Sequence, residues 1–210
     1  NPYLTKTAVK ILAHSYVSPK GAWLNGKPVI TTGGEENTLK SAYQQLGAEY
    51  PKFYKMDVLS KMAFIGTELL LPFFPEDLDQ ENDLQLIFAN QSASQNTDNL
   101  FVESYGQLNN PSPSLFVYTL PNIVTGELCI RHKWYGENCF FVEEAFDPGH
   151  FSDWAAMAFA KGNKACLCAW VEAKTSGEQE CFLFLLSDAE TADPSIEQEL
   201  STLIKQYRNE

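Results

Sequence analysis

The sequence is short of positive charge, of paired cysteines and of long apolar runs, and each shortage removes a class of function. Lysine and arginine number 15 against 27 aspartates and glutamates, a net charge of −12. A nucleic-acid partner needs a basic stripe along the chain, and an anionic membrane surface needs a basic patch; neither is visible. No apolar run approaches the length of a membrane span, and Asn1 to Lys20 lacks the charged start, greasy core and small-residue cleavage site of a secretory leader. A cytoplasmic location is expected. Five cysteines, an odd number without framework spacing, fit reduced thiols better than a disulfide scaffold.

What is present is the material of a packed core: 44% hydrophobic and 13% aromatic residues over 210 positions. Residues 1–210 are expected to form a single domain. No internal repeat, low-complexity tract or linker interrupts them. Strand and helix signals alternate, which points to an α/β sheet layered with helices. Ala8 to Ser15 reads as a first strand ending near His14, and Gly21 to Gly34 as a hairpin-like, turn-rich excursion. Met56 to Leu71 carries Leu59, Met62, Ala63, Gly66 and Leu70 at helical spacing, with Pro72 as the stop. Leu84 to Ala89 reads as a buried strand.

Asn122 is placed to cap a helix through Glu127 and Arg131, an i,i+4 pair of favourable order, with Gly136 beyond its end. Cys139 to Val142 is a compact strand, and Asp147-Pro148 is a strong helix start. The helix after it, through Trp154 to Ala160, reads as apolar on every side and is expected to be covered on both faces. Ala165 to Ala173 and Cys181 to Ser187 read as adjacent strands around a Ser176-Gly177 turn. Asp193-Pro194 is expected to start a last helix with Ile196, Leu200, Leu203, Ile204 and Tyr207 on one stripe.

The reactive side chains favour packing over chemistry. Cys139, Cys166, Cys168 and Cys181 fall in apolar strands, where cysteine acts as a small hydrophobe, and Cys129 sits on a helix beside Leu128 and Ile130. Cys166 and Cys168 lack the second ligand pair of a zinc site, so no metal is expected, and no cofactor signature is present. His150 lies near Ser152 and Asp153, but helical residues two apart point away from one another. His132, at a helix end, is read as a cation suited to the dipole. Gly21 to Lys27 has phosphate-loop spacing, but Pro28 stands where a hydroxyl should bind magnesium.

Three stretches carry a resemblance. Tyr54-Lys-Met-Asp57 runs into a helix; Thr119-Leu-Pro-Asn122 is followed by Gly126, Ile130-Arg131 and Tyr135-Gly136; Ala160-Lys-Gly162 leads through Cys168-Ala-Trp170 to Val171-Glu172-Ala173. In order and spacing the chain resembles the N-terminal half of a β-ketoacyl synthase of the thiolase fold. It is most similar to the short ketosynthase-like proteins of aryl-polyene and flexirubin-type pigment clusters. The resemblance implies a mixed sheet layered with helices.

It also implies a thiol nine residues beyond Gly136, on a sharp turn into a buried helix. That count reaches Ala145, flanked by Glu144, Phe146 and Asp147, and no cysteine lies between Cys139 and Cys166. The family's two catalytic histidines belong to a C-terminal half that has no counterpart here. A non-catalytic partner or chain-length factor of an active ketosynthase is therefore expected, with a second copy as the other possible mate. By the same resemblance, the stretch from Pro111 to Gly136, with Pro121, Asn122, Thr125 and Gly126, faces the partner and its acyl tunnel. Acyl carrier protein would be met only indirectly, because like charges repel. Two alternatives stand beside this: an acyl-transfer or thioesterase-like enzyme using His150 with Asp147 or Glu144, and a stand-alone acyl or acyl-carrier binding module.

Overall fold

In a computed structural model of the chain, the structure describes residues 8–32, 38–79, 83–106, 109–189 and 196–209. Seven strands form one mixed sheet: β1 (Ala8–Ser18), β2 (Gly21–Leu24), β3 (Lys27–Thr31), β4 (Leu84–Asn90), β5 (Asn138–Val142), β6 (Ala165–Ala173) and β7 (Gln179–Ala189). Their order across the sheet is β3-β2-β1-β7-β6-β4-β5. β4 runs parallel to β5 and β6, and the other pairings are antiparallel.

Seven helices cover this sheet among the described residues: α1 (Thr38–Leu46), α2 (Val58–Leu70), α3 (Gln95–Gly106), α4 (Pro113–Val117), α5 (Ile123–His132), α6 (Pro148–Ala160) and α7 (Ile196–Asn209). One face is packed by α1, α2 and α5 around Phe53, Phe64, Met62 and Leu128. The other is packed by α6 and α7 around Phe151, Ala155, Phe182, Phe184 and Leu200. An α/β fold layered with helices is therefore what forms.

Local signals in the sequence set several boundaries. Asp57 caps α2, accepting from the Ser60 amide at 3.0 Å, and Asp147 caps α6, accepting from Gly149 at 2.8 Å with Pro148 at the first turn. Pro72 ends α2 by tightening Leu71–Phe73 into a 3₁₀ turn. The Gly21 excursion is a true hairpin: Asn25 (φ 49°) and Gly26 (φ 78°) make a two-residue turn between paired Leu24 and Lys27, which leaves no phosphate loop. Asp193-Pro194 lies outside the described residues, but the stripe after it does bury Ile196, Leu200, Ile204 and Tyr207.

Other expectations are corrected by long-range contacts. β1 continues to Ser18, because pairing with both β2 and β7 sustains it past His14. Asn122 stands at the α5 N-cap position with helical φ and ψ, and its side chain accepts no capping bond. The Glu127–Arg131 pair does not form. Glu127 turns inward to accept from the Tyr118 hydroxyl at 2.9 Å and to pair with Lys52 at 2.8 Å, while Arg131 reaches Glu68 at 3.2 Å. The helix stops at Lys133, which adopts the left-handed conformation (φ 58°).

α6 is covered on one face only. Phe151, Ser152, Ala155, Ala158 and Phe159 are buried on the side packed by the sheet and α7, whereas His150, Asp153, Trp154 and Met157 are exposed. Its alanines made it look apolar all round; they are small residues that let the helix sit close to β7 and β6.

α2 approaches the sheet through Gly66, where a Cβ would collide with the Leu183 side chain and stand 3.0 Å from Ser15 Oγ, which itself donates to the Gly66 carbonyl at 2.9 Å. Gly66→Ala is expected to destabilise the fold by about 1–3 kcal/mol through overpacking; a lower denaturant midpoint with an unchanged m-value is the measurement.

Candidate functional site

The chain leaves the carboxyl end of β4 toward the face of α5 and leaves the carboxyl end of β5 toward the opposite face, where α6 lies. Connections that diverge from neighbouring parallel strands open a crevice at their carboxyl ends, the usual place for a site in an α/β sheet. Glu143 donates its amide to the Asn90 carbonyl at 2.8 Å, tying the two strand ends together. The turn Glu143 to Asp147 then swings into α6. The topology thus puts the expected nucleophile turn at the switch point.

A pocket here is lined by Ala89, Phe141, Glu143, Ala145, Trp154 and Trp170, among others. Its volume is about 10 Å³, room for roughly one water molecule. Ala145 and Glu144 are exposed, and Phe146 folds back onto Phe151, Trp170, Phe182 and Phe184. Asp147 occupies the helix N-terminus with its own carboxylate. His150 is exposed, with Nδ1 3.3 Å from Glu143 and Nε2 3.9 Å from Asp147. Glu143, not Glu144, is therefore its nearer carboxylate, a pairing hidden in the sequence because it crosses the turn. Ser152 is buried and does not line the pocket, and no other hydroxyl or thiol lines it.

The thiols are held in their protonated form. Burial raises Cys139 to about 11 and Cys166 to about 12, raises Cys168 and Cys181 well above their ordinary value, and lifts Cys129 as well. A protonated thiol is a poor nucleophile. Among the described residues no group of three or more metal-ligating side chains comes together, and no helix is long and apolar enough to cross a membrane.

Around the start of α5, Asn122 is exposed, Pro121 and Gly126 are half-buried, and a Cβ on Gly126 would meet open space. Thr125 is fully buried. Its hydroxyl lies 2.8 Å from both the Asn122 carbonyl and Asn138 Oδ1, joining α5 to β5. Outside this turn the surface is apolar: Phe116 is 60% exposed and Leu120 56%, with Leu100, Val102, Tyr105 and Val117 exposed on the neighbouring α3 and α4. Phe101 packs against both Tyr105 and Phe116 and joins the two helices. Neither helix was legible in the sequence, where the segment lacks a clean periodic stripe.

A buried glutamate that sequence reading did not single out builds the same end of the sheet. Glu172, closing β6, is 1% exposed and accepts from the amides of Gln91 (2.9 Å) and Ser92 (3.3 Å) and from the Ser92 hydroxyl. It pins the loop after β4. Its only sequence signal was its place in the Val171-Glu172-Ala173 stretch.

No protein-family model matches the sequence, and no curated protein does. Solved structures match throughout its length. A chain of the complex between the ketosynthase ApeO and its chain length factor ApeC from Xenorhabdus doucetiae has a TM-score of 0.64 at 15% identity, with 98% of this chain and 93% of that one covered. The ishigamide ketosynthase/chain length factor gives 0.58 at 17% identity, covering 89% and 63%. The AntDE:AntF structure, a type II polyketide acyl-carrier protein with its ketosynthase bound to the hexaketide, gives 0.57 at 16%, covering 88% and 63%. The fold is thiolase-like. The chain spans less than two thirds of the second and third of these structures, and nearly all of the first.

Within this thiolase-like half, His132 corrects its sequence reading. It is stacked on Trp134 at 4.4 Å with Nε2 3.5 Å from Glu68, a carboxylate that Arg131 also reaches, and burial together with Arg131 lowers its pKa to about 4, which favours the neutral ring over a dipole-matched cation. Burial lowers His14, bonded to the Tyr207 hydroxyl at 2.8 Å, to about 4 as well. The unfolded chain then binds more protons than the folded one between pH about 6.5 and 4, so both histidines make stability fall as pH drops through that window. Denaturant titrations at successive pH values are expected to show this slope. His132→Phe, which keeps a ring on Trp134, is expected to reduce it by about one proton, roughly 1.4 kcal/mol per pH unit.

Proposed function

We propose that this chain is a non-catalytic ketosynthase-like subunit, the partner or chain-length factor of an active ketosynthase in fatty-acid or polyketide-type, aryl-polyene-like biosynthesis. The observation that carries it is the turn into α6. Ala145 stands where the resemblance puts the covalent acyl carrier that condensation needs, and Asp147 fills the helix N-terminus that would stabilise a thiolate. The chain length factors named in the neighbouring complexes stand beside a ketosynthase, which fits a protein with this scaffold and this turn.

The surface supports a partner. Phe116, Val117 and Leu120 are exposed together next to α5, within the stretch that the resemblance assigns to the mate, and clustered exposed apolar side chains mark interaction sites. β5, next to α5, forms an edge of the sheet and leaves one side of its backbone unpaired among the described residues. The pocket at the turn admits no acyl chain, so a limit on chain length would be set from the surface, by what Phe116 and Leu120 present to the mate. Acyl carrier protein would be served through the ketosynthase.

The experiment is co-expression with the ketosynthase encoded beside it, followed by co-purification of the untagged mate. Phe116→Asp with Leu120→Asp is expected to weaken the complex by about 30-fold or more while leaving this chain's melting temperature within a few degrees. Failure of every neighbouring ketosynthase to co-elute would overturn the proposal. His150→Ala is expected to leave product titre and product length unchanged when the pair is assayed together; a loss of output would instead favour hydrolytic or transfer chemistry at that imidazole.

A further inference from the structure

A second surface of this acidic protein is positively charged. Between α1, the Pro51–Lys55 turn and the start of α2 runs an open groove of about 350 Å³, with Leu39, Phe53, Tyr54 and Val58 as its apolar floor and Lys40 and Lys61 in its lining. No lining residue is acidic. Neither lysine makes an ion pair among the described residues. Among the described residues, Asp57 is drawn inward to cap α2, where it bonds to Ser60 and Thr97 and acts electrostatically on Lys61, and Glu178 pairs with Lys174 at 3.1 Å. Two lysines and no acid line one apolar cleft in a chain with a net charge of −12.

We propose that this groove docks an acidic segment of a partner protein, with a carboxylate on each ammonium and an apolar side chain between them against Tyr54 and Val58. A free phosphate is the poorer occupant. The site offers two separate point charges on flexible stems, with no arginine fork, and a small anion would leave the apolar floor wet. Lys61 is half-buried; burial lowers its pKa and the Asp57 carboxylate raises it, so a bound carboxylate would add a second counter-charge on the groove side. The groove opens at the end of the sheet where β7 begins at Gln179, on the α2 face, away from the turn at α6. The inference does not depend on the ketosynthase-partner reading.

Fluorescence anisotropy on the full chain tests it with a labelled peptide alternating glutamate and leucine, set against the same peptide with glutamine for glutamate. The acidic peptide is expected to bind, the amide version to bind about tenfold or more weaker, and the difference to shrink as salt screens it. Lys40→Gln and Lys61→Gln are each expected to lose several-fold in affinity, Lys61→Arg to retain it, and the distant Lys205→Gln to match the parent. Lys40 is exposed, so its variant reads out binding even if Lys61→Gln fails to fold. Equal binding of the two peptides, equal loss in Lys205→Gln, loss in Lys61→Arg, or full competition by inorganic phosphate at millimolar concentration would each overturn the proposal.

Discussion

The whole structure depends on a sheet whose central strands are buried on both faces. Every residue of β4 and of β6 is buried, and so are eight successive residues of β7. A strand sends alternate side chains to opposite sides, so two separate layers must be filled at once. On β6, Leu167, Ala169 and Val171 go to the α2 side, while Cys166, Cys168 and Trp170 go to the α6 side; on β7, Leu183 and Leu185 oppose Phe182 and Phe184 in the same way. The two sides are filled differently. On the α2 side Gly66 lets the helix come close to Leu183 of β7 and to Ser15 and Val17 of β1, whereas the α6 side is filled by aromatic rings. The long strand β1 has to serve both layers as it crosses from one end of the sheet to the other. It does so through a bulge between Ile11 and Ala13: Ile11 packs toward α7, Leu12 and Ala13 both toward α2, and the alternation resumes with its phase reversed.

This double burial explains which features could be read from the sequence. Continuous apolar runs at Leu84, Ala165 and Cys181 announce strands that meet no solvent, and Asp57 and Asp147-Pro148 announce helix starts because a cap and the amides it serves lie within three residues of one another. Features settled by distant partners were not legible. Glu127 has Arg131 at the helical spacing of an ion pair, but Tyr118 and Lys52 reach its carboxylate from outside the helix. His132 has the position of a helix-end cation and the environment of a buried ring. The bulge in β1 leaves no local mark, since it answers to the pairing with β7. For the site, the missing thiol and the carboxylate cap were plain in the sequence, whereas the Glu143–His150 contact and the anchoring role of Glu172 needed the fold, because each joins the ends of different elements.

Buried carboxylates organise the carboxyl end of the parallel strands. Glu172 fixes the loop after β4, and Glu180, its direct partner across the β6–β7 pairing, receives Arg208 at 2.6 Å and 3.0 Å and the Tyr16 hydroxyl at 3.1 Å. A buried charge is costly unless it is paired and hydrogen-bonded. Here each carboxylate is matched, Glu172 by amides and a hydroxyl and Glu180 by a guanidinium and a phenol. The order this gives is local: Glu172 fixes Gln91 and Ser92 next to Asn90, whose carbonyl accepts from the Glu143 amide.

What such a scaffold can still do follows from what it leaves uncovered. The inner faces of most helices are satisfied by the sheet, but α6 shows Trp154 and a 53%-exposed Met157 outward, β5 keeps an open edge among the described residues, and α3 and α4 pack mainly on each other while leaving Phe116 and Val117 in water. Catalysis by condensation would need a desolvated cavity holding acyl chain and nucleophile together, and the cavity at the turn holds about 10 Å³. Apolar surface of this kind, by contrast, gains free energy as soon as another protein covers it, at roughly 25 cal/mol for each square ångström removed from water. Buried carboxylates are paired and buried thiols are held protonated, while apolar side chains such as Phe116, Leu120 and Met157 stay exposed to water.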